Sequence, residues 1–197
     1  MYRLLETIKI ENNNIFNIEY HNLRLNKARK ELFGLENSIN LLDFIQIPQN
    51  MAGIIKCRVL YSQEIEKVEY ESYKKRNIQS LKTVYCDDIS YNYKFEDRTQ
   101  LNELLKQKGN CDEILIIKHR RITDTSFTNI IFFDGKKWFT HASPLLKGTK
   151  REKLITESKV IPQEIYLGDL KFFKKAMLIN AMLDMENGTE IKIENIY

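Results

Sequence analysis

The sequence predicts a mixed α/β (α+β) fold built as two small lobes, residues 1–84 and 85–197. Three observations predict it. Apolar residues alternate over short segments rich in Val, Ile and Tyr, the pattern of half-buried strands. Between them the spacing switches to helical periodicity. Hydrophobic residues make up 43% of 197 positions, ample for a buried core, and no repeat or low-complexity linker interrupts the chain.

Residues 3–10 alternate loosely and run into the turn tract Glu11-Asn12-Asn13-Asn14; Ile15, Phe16, Ile18 and Tyr20 follow, so the opening reads as a β-hairpin. From His21 onward, Leu23, Ala28, Leu32 and Phe33 fall near helical spacing, and Gly34 stands where a helix ends. A short apolar segment, Leu41 to Ile47, stops at Pro48. Strands over Gly53–Tyr61, Ile65–Tyr73 and Ser80–Cys86 complete the first lobe. The second lobe opens with a helix from Asp97 to Gln107, before Gly109. Strands follow at Glu113–His119 and Asn129–Phe133, the latter turning at Asp134-Gly135 into Lys137–Thr140. Thr149–Val160 reads as a helix, Glu164–Leu167 as a strand and Leu170–Lys175 as a helical turn, with closing strands at Met177–Leu183 and Glu190–Ile196.

Composition removes several function classes. The 7 glycines are dispersed, which excludes the phosphate-cradling loops that need clustered glycines. With 31 basic and 27 acidic residues the surface is mixed, and no basic stripe for nucleic acid is present. No apolar run approaches the ~18 residues of a membrane span. Arg3, Glu6 and Lys9 break the N-terminal segment where a signal peptide needs an apolar stretch. Cys57, Cys86 and Cys111 are odd in number and far apart, so reduced thiols in a cytoplasmic protein are expected. His21, His119 and His141 share no ligand spacing, and no metal site is expected.

Four segments carry chemistry: His21-x-x-Arg24-Leu25; Tyr93-Lys94-Phe95-x-x-Arg98; Ile122-Thr123-Asp124-Thr125-Ser126-x-x-Asn129-Ile130-x-Phe132; and Thr140-x-x-x-Pro144-Leu145-Leu146-x-Gly148-x-x-Arg151. In this order and at these separations they resemble the class IV aminotransferases, the fold-type IV pyridoxal-phosphate enzymes, which include D-amino acid and branched-chain aminotransferases and 4-amino-4-deoxychorismate lyase. The resemblance runs from about Leu4, where LLETIKI is similar to a family strand, to about Met182. It implies a D-amino acid aminotransferase-like fold whose second lobe binds the cofactor. Two strands that usually precede this point are missing, so an N-terminally shortened member is expected.

The resemblance also implies roles. Lys94 matches the lysine that forms a Schiff base with pyridoxal 5'-phosphate and moves protons, a task for an amine whose pKa neighbours can lower. Asp124 matches the family's glutamate at the pyridine nitrogen and is one methylene shorter. Arg24 matches the arginine on the cofactor phosphate, a planar bidentate donor. Gly148, Thr149 and Lys150 match the loop whose backbone N–H groups hold the same phosphate at a helix start, with Lys150 where threonine is usual. Leu146 matches a leucine packed on the ring; Asn129 matches a family asparagine counted with the cofactor-binding residues or holding the strand ends, and Arg98 is expected to be structural, through salt bridges beneath the site. For the substrate carboxylate, Arg58 and Tyr61 compete for one family position. His141 stands where the family usually has proline.

The implied function is a 4-amino-4-deoxychorismate lyase-like reaction, releasing pyruvate and leaving 4-aminobenzoate for folate synthesis. The alternative is a small aminotransferase acting on a D- or branched-chain amino acid, and a third is a degenerate cofactor-binding protein. A small-molecule amino substrate and a homodimer are the implied partners.

Overall fold

A computed structural model describes residues 2–186 and 188–197. The chain divides into two compact units, Met1–Lys75 with Tyr93–Asp97, and Arg76–Asn92 with Arg98–Tyr197.

In the first unit, strand β1 (Leu4–Glu11) turns into the two-residue strand β2 (Asn14–Ile15) through Asn12 and Asn13, at φ 50° and 59°. Asparagine tolerates this left-handed conformation, and two such residues in succession give the twist a tight hairpin needs. The second arm stops there, because helix α1 (Ile18–Phe33) begins three residues later than Ile15, earlier than the expected start at His21. Gly34, at φ 71°, ends α1 as expected and donates its N–H to the Arg29 and Lys30 carbonyls. Strands β3 (Ile55–Tyr61) and β4 (Ile65–Ser72) complete an antiparallel sheet in the order β2-β1-β3-β4. Leu4, Ile8 and Ile10 of β1 pack with Cys57 and Val59 of β3 and Leu25 and Ala28 of α1.

The segment Tyr93–Asp97 returns to this unit. The Leu5 N–H donates to the Lys94 carbonyl at 2.9 Å, and the Glu96 N–H to that of Arg3 at 2.9 Å. Tyr93 and Phe95 pack on the same core, and the Tyr93 hydroxyl reaches Glu31 of α1 at 3.1 Å.

The second unit is one branched sheet. Strand β5 (Leu81–Tyr85), expected in the first lobe, lies parallel to β6 (Glu113–Lys118) in this unit. Helix α2 (Thr99–Leu105) covers them through Leu101 and Leu104. Next come β7 (Arg121–Thr125), β8 (Asn129–Phe133) and β9 (Trp138–His141), antiparallel in turn. Helix α3 spans Thr149–Thr156, shorter than expected, and is followed by strand β10 (Val160–Gln163) rather than by a strand at 164–167. Ser158, at φ 56°, makes the break, and β10 lies parallel to β9 at the sheet's end, where Pro162 is tolerated. Strand β11 (Lys175–Ile179) pairs with β8 and with β12 (Thr189–Lys192), so the sheet branches at β8. Leu154 of α3 packs on Ile131, Val160, Met177 and Ile179.

Candidate active site

The first unit holds Arg24, Lys94, Arg58 and Tyr61. His21 and Arg24, three apart on α1, lie on one helix face, and both engage Glu6 of β1. Arg24 donates from Nε to Glu6 Oε1 at 2.8 Å and from Nη2 to Oε2 at 2.5 Å. His21 Nδ1 stands 2.6 Å from Oε2, so the proton lies on Nδ1. Glu6 and His21 are fully buried. Burial alone would raise the Glu6 pKa, but the Arg24 charge and the hydrogen bonds from His21 and Arg24 outweigh it and hold the carboxyl at about 2. Burial lowers the His21 pKa, against the pull of Glu6, and the Arg24 and Lys94 charges add to that effect. Lys94 is thus close enough to act on His21 electrostatically, on a backbone pinned to β1 on one side and α1 on the other.

Arg58 and Tyr61 sit on opposite faces of the sheet, since β3 pairs them with Thr7 and Leu4 of β1. Arg58 is half-buried and meets Glu69 of β4 at 3.1 Å. Tyr61 is buried, and burial together with the nearby Glu6 charge pushes its hydroxyl pKa up.

The second unit holds Asp124, Asn129, Leu146 and the start of α3. Asp124 is the last but one residue of β7, paired directly with Asn129 of β8, and the side chains bond: Asn129 Nδ2 donates to Asp124 Oδ1 at 2.8 Å. The same Nδ2 donates to the Leu146 carbonyl at 2.9 Å, and the Leu146 N–H donates to Asp124 Oδ2 at 2.9 Å. The three residues close a ring of hydrogen bonds. Burial raises the Asp124 pKa to about 6, although those donors and the Arg151 charge oppose the rise.

Gly148 is the residue before α3, and no side chain caps the helix there. A Cβ at Gly148 would overlap Asn129 Oδ1, so the loop approaches Asn129 too closely for any other residue. Thr149, Lys150 and Arg151 are buried. Lys150 Nζ pairs with Asp184 Oδ1. Arg151 Nη2 donates to the His141 carbonyl at 2.7 Å, tying α3 to the end of β9. His141 Nδ1 accepts from the Ile165 N–H at 3.2 Å, an anchor for the chain after β10 that the proline usual at this position could not supply. Arg98 donates to the Ser126 carbonyl at 2.6 Å and steadies the turn between β7 and β8.

Two contributors escaped the reading of the motifs. Glu6 lies in a segment whose likeness to the family is plain, but its alternation with Leu4, Ile8 and Ile10 marks it only as a polar residue on a core face. Arg151 closes the fourth motif, and only the fold shows it bracing the loop that carries Gly148. Among the described residues no cluster of three or more His, Cys, Asp or Glu is arranged to hold a metal, and no helix is long and apolar enough to cross a membrane.

The first unit thus carries an amine, Lys94, near Arg24 and its buried partner Glu6, and the second an uncapped helix start and a buried carboxyl group. A family model for amino-transferase class IV matches residues 92–191. An uncharacterized protein of Haemophilus influenzae Rd is 41% identical over 185 residues, covering 92% of this chain and 98% of its own. The crystal structure of a Haemophilus somnus 129PT protein, provisionally assigned as a 4-amino-4-deoxychorismate lyase, superposes with a TM-score of 0.86 at 37% identity, covering 92% of this chain and 97% of that one. A hypothetical aminotransferase from Mycobacterium tuberculosis, in its PLP-bound form, shares the fold at 14% identity and a TM-score of 0.78, over 96% of this chain and 80% of that one. The chain belongs to the class IV aminotransferase family. It is a pyridoxal-phosphate-dependent enzyme of the fold-type IV architecture.

Proposed function

We propose that the chain is a lyase acting on 4-amino-4-deoxychorismate, releasing pyruvate and leaving 4-aminobenzoate, with Lys94 as its catalytic residue. The observation that carries this reading is the near full-length likeness, at 37% identity, to the Haemophilus somnus protein given that assignment. Bound pyridoxal phosphate supplies an aldehyde for amino groups and a ring that accepts the electron pair released at the substrate carbon.

The chain's own residues do the rest. Lys94 is the amine that would hold the cofactor's aldehyde group. With substrate bound, Lys94 would take the proton from its amine-bearing carbon. The neighbouring C–O bond then breaks, the six-membered ring becomes aromatic, and the departing enolate takes up a proton to become pyruvate. Asp124 would hold a proton at the ring nitrogen, and its raised pKa suits a carboxyl that shares a proton there. Asn129 and the Leu146 N–H hold Asp124 in place, and Leu146 would pack on the ring. Arg24, Lys150 and the N–H groups after Gly148, at Thr149 and beyond, are the groups that would bind the phosphate. Of the two candidates for the substrate carboxylate, Arg58 keeps a charge and partial exposure, whereas Tyr61 is 1% exposed and would have to move to make contact. A cytoplasmic homodimer serving folate synthesis completes the reading, and light scattering on the purified protein tests the dimer.

The deciding experiment incubates the purified, cofactor-loaded protein with 4-amino-4-deoxychorismate and measures pyruvate. Stoichiometric pyruvate and 4-aminobenzoate, both abolished by Lys94→Ala, are expected. Keto acid from a panel of D- and branched-chain amino acids, with no pyruvate from the chorismate derivative, would establish an aminotransferase instead. A protein that takes up cofactor and converts neither substrate class would be the degenerate binder.

A further inference from the structure

We propose that Glu6 is a positioning residue for the phosphate: its buried carboxylate, held by His21, fixes the plane of the Arg24 guanidinium. The inference rests on the reading of Arg24 as a phosphate ligand. Glu6 occupies the core face of β1, where its neighbours Leu4, Ile8 and Ile10 are apolar and fully buried. A buried ion pair is weak support for stability, because desolvation offsets most of the attraction. A carboxylate at this point is therefore better explained by what it orients.

The geometry shows what that is. Arg24 presents its Nε–Nη2 edge to the two oxygens of Glu6, at 2.8 and 2.5 Å, the side-on fork that leaves a guanidinium no rotation about its last torsion. With that edge fixed, the direction of Nη1 is fixed as well. His21 occupies a further lone pair of Oε2 at 2.6 Å from the same helix face, so the carboxylate cannot swing away from Arg24. Burial, which lowers the His21 pKa, works against a second positive charge beside Arg24.

The test compares pyridoxal phosphate with pyridoxal, which lacks the phosphate. Dissociation constants of both are measured by absorbance or fluorescence titration for the wild type, Glu6→Gln, Arg24→Ala and the double variant. Glu6→Gln keeps the shape but turns an amide N–H toward one Arg24 donor. It should weaken pyridoxal phosphate by about tenfold or more, the loss of one charge-assisted hydrogen bond. Pyridoxal affinity should stay within about twofold, and Glu6→Gln should add nothing in the Arg24→Ala background. Equal weakening of both ligands, or an unchanged ratio, overturns the inference. If Arg24→Ala itself leaves the ratio unchanged while cofactor still binds, the inference falls and the cofactor reading stands. If the wild type takes up no pyridoxal phosphate, both fall. Should Glu6→Gln fail to fold, His21 provides the second route. His21→Leu should lower the ratio, and His21→Asn, whose amide nitrogen can stand where Nδ1 does, should restore it; an unchanged ratio in His21→Leu overturns the proposal.

Discussion

Replacing Gly148 by alanine tests the packing of the candidate site with a single methyl group. The backbone at Gly148, φ −71° and ψ 140°, is extended and open to any residue, so conformational strain contributes nothing. The cost comes from Asn129, whose Oδ1 the new Cβ would overlap and whose Cγ would stand 3.2 Å away. Asn129 cannot yield without loss, because its Nδ2 donates at 2.8 Å to Asp124 and at 2.9 Å to the Leu146 carbonyl. Displacing it breaks one hydrogen bond to a buried carboxyl group and one to a peptide carbonyl, together about 3 kcal/mol. For a chain of this size that is a fall in melting temperature of roughly 6–12 °C.

Urea and thermal unfolding of the cofactor-free protein, followed by circular dichroism, read the change. The control is the cycle with Asn129→Ala. Once the Asn129 amide is gone the methyl has room, and Gly148→Ala should then cost less than about 0.5 kcal/mol. A Gly148→Ala protein as stable as the wild type would refute the reasoning. So would a full penalty that persists beside Asn129→Ala, since the methyl would then be striking something other than Asn129.

Two further outcomes are expected. Asp124, whose pKa is raised from 3.8 to about 6, is most at ease protonated; its contribution to stability is fully present below 3.8 and is lost as pH rises through 6. Relative to wild type, cofactor-free Asp124→Asn should therefore gain about 3 kcal/mol across that window, about half of it between pH 5 and 7, in urea melts at each pH; a difference flat with pH would contradict the burial argument. Asp184→Ala leaves the buried Lys150 ammonium without its carboxylate and should cost about 2 kcal/mol, most of which Lys150→Thr/Asp184→Ala should recover by removing the charge as well. Chemical denaturation of the wild type, Asp184→Ala, Lys150→Thr and the double variant checks this, and additive losses in the double variant would show that the pair is not a unit.

Strand β7 shows what the sequence hides. The run Arg121-Ile-Thr-Asp-Thr has no alternation of apolar and polar residues, although Ile122 through Thr125 are all buried. Its polar groups are satisfied locally: Thr123 by the Ile116 carbonyl, Thr125 by Thr128, Asp124 by Asn129 and Leu146. A strand buried through hydrogen bonds carries no hydrophobic period. The turn before it is equally silent, because His119 and Arg120 take φ 49° and 66°, values usually announced by Asn or Gly. Strand β5 is legible as a strand but not in its lobe, since a run such as Leu81–Tyr85 fits either sheet and only its parallel register with β6 decides.

The same distinction explains which parts of the site could be read. The five-residue interval from Asp124 to Asn129 is a spacing motif because the two residues are opposite each other across a tight hairpin. His21-x-x-Arg24 is another, because a three-residue step brings two side chains to one face of α1. Each motif is the trace of a local geometry, so residue spacing alone finds it. What each motif closes upon lies far along the chain: Leu146 and Gly148 against Asn129, Glu6 beneath His21 and Arg24. No spacing rule links these partners, since the intervening loops can be of any length. Gly148 gains a second meaning from this. The resemblance accounts for it by the close approach of a phosphate, but the fold requires the same absence of a side chain to let Asn129 hold Asp124 and Leu146 together. A single glycine thus serves both the helix start and the carboxyl group, and a substitution there should disturb Asp124 even in protein that has never bound a cofactor.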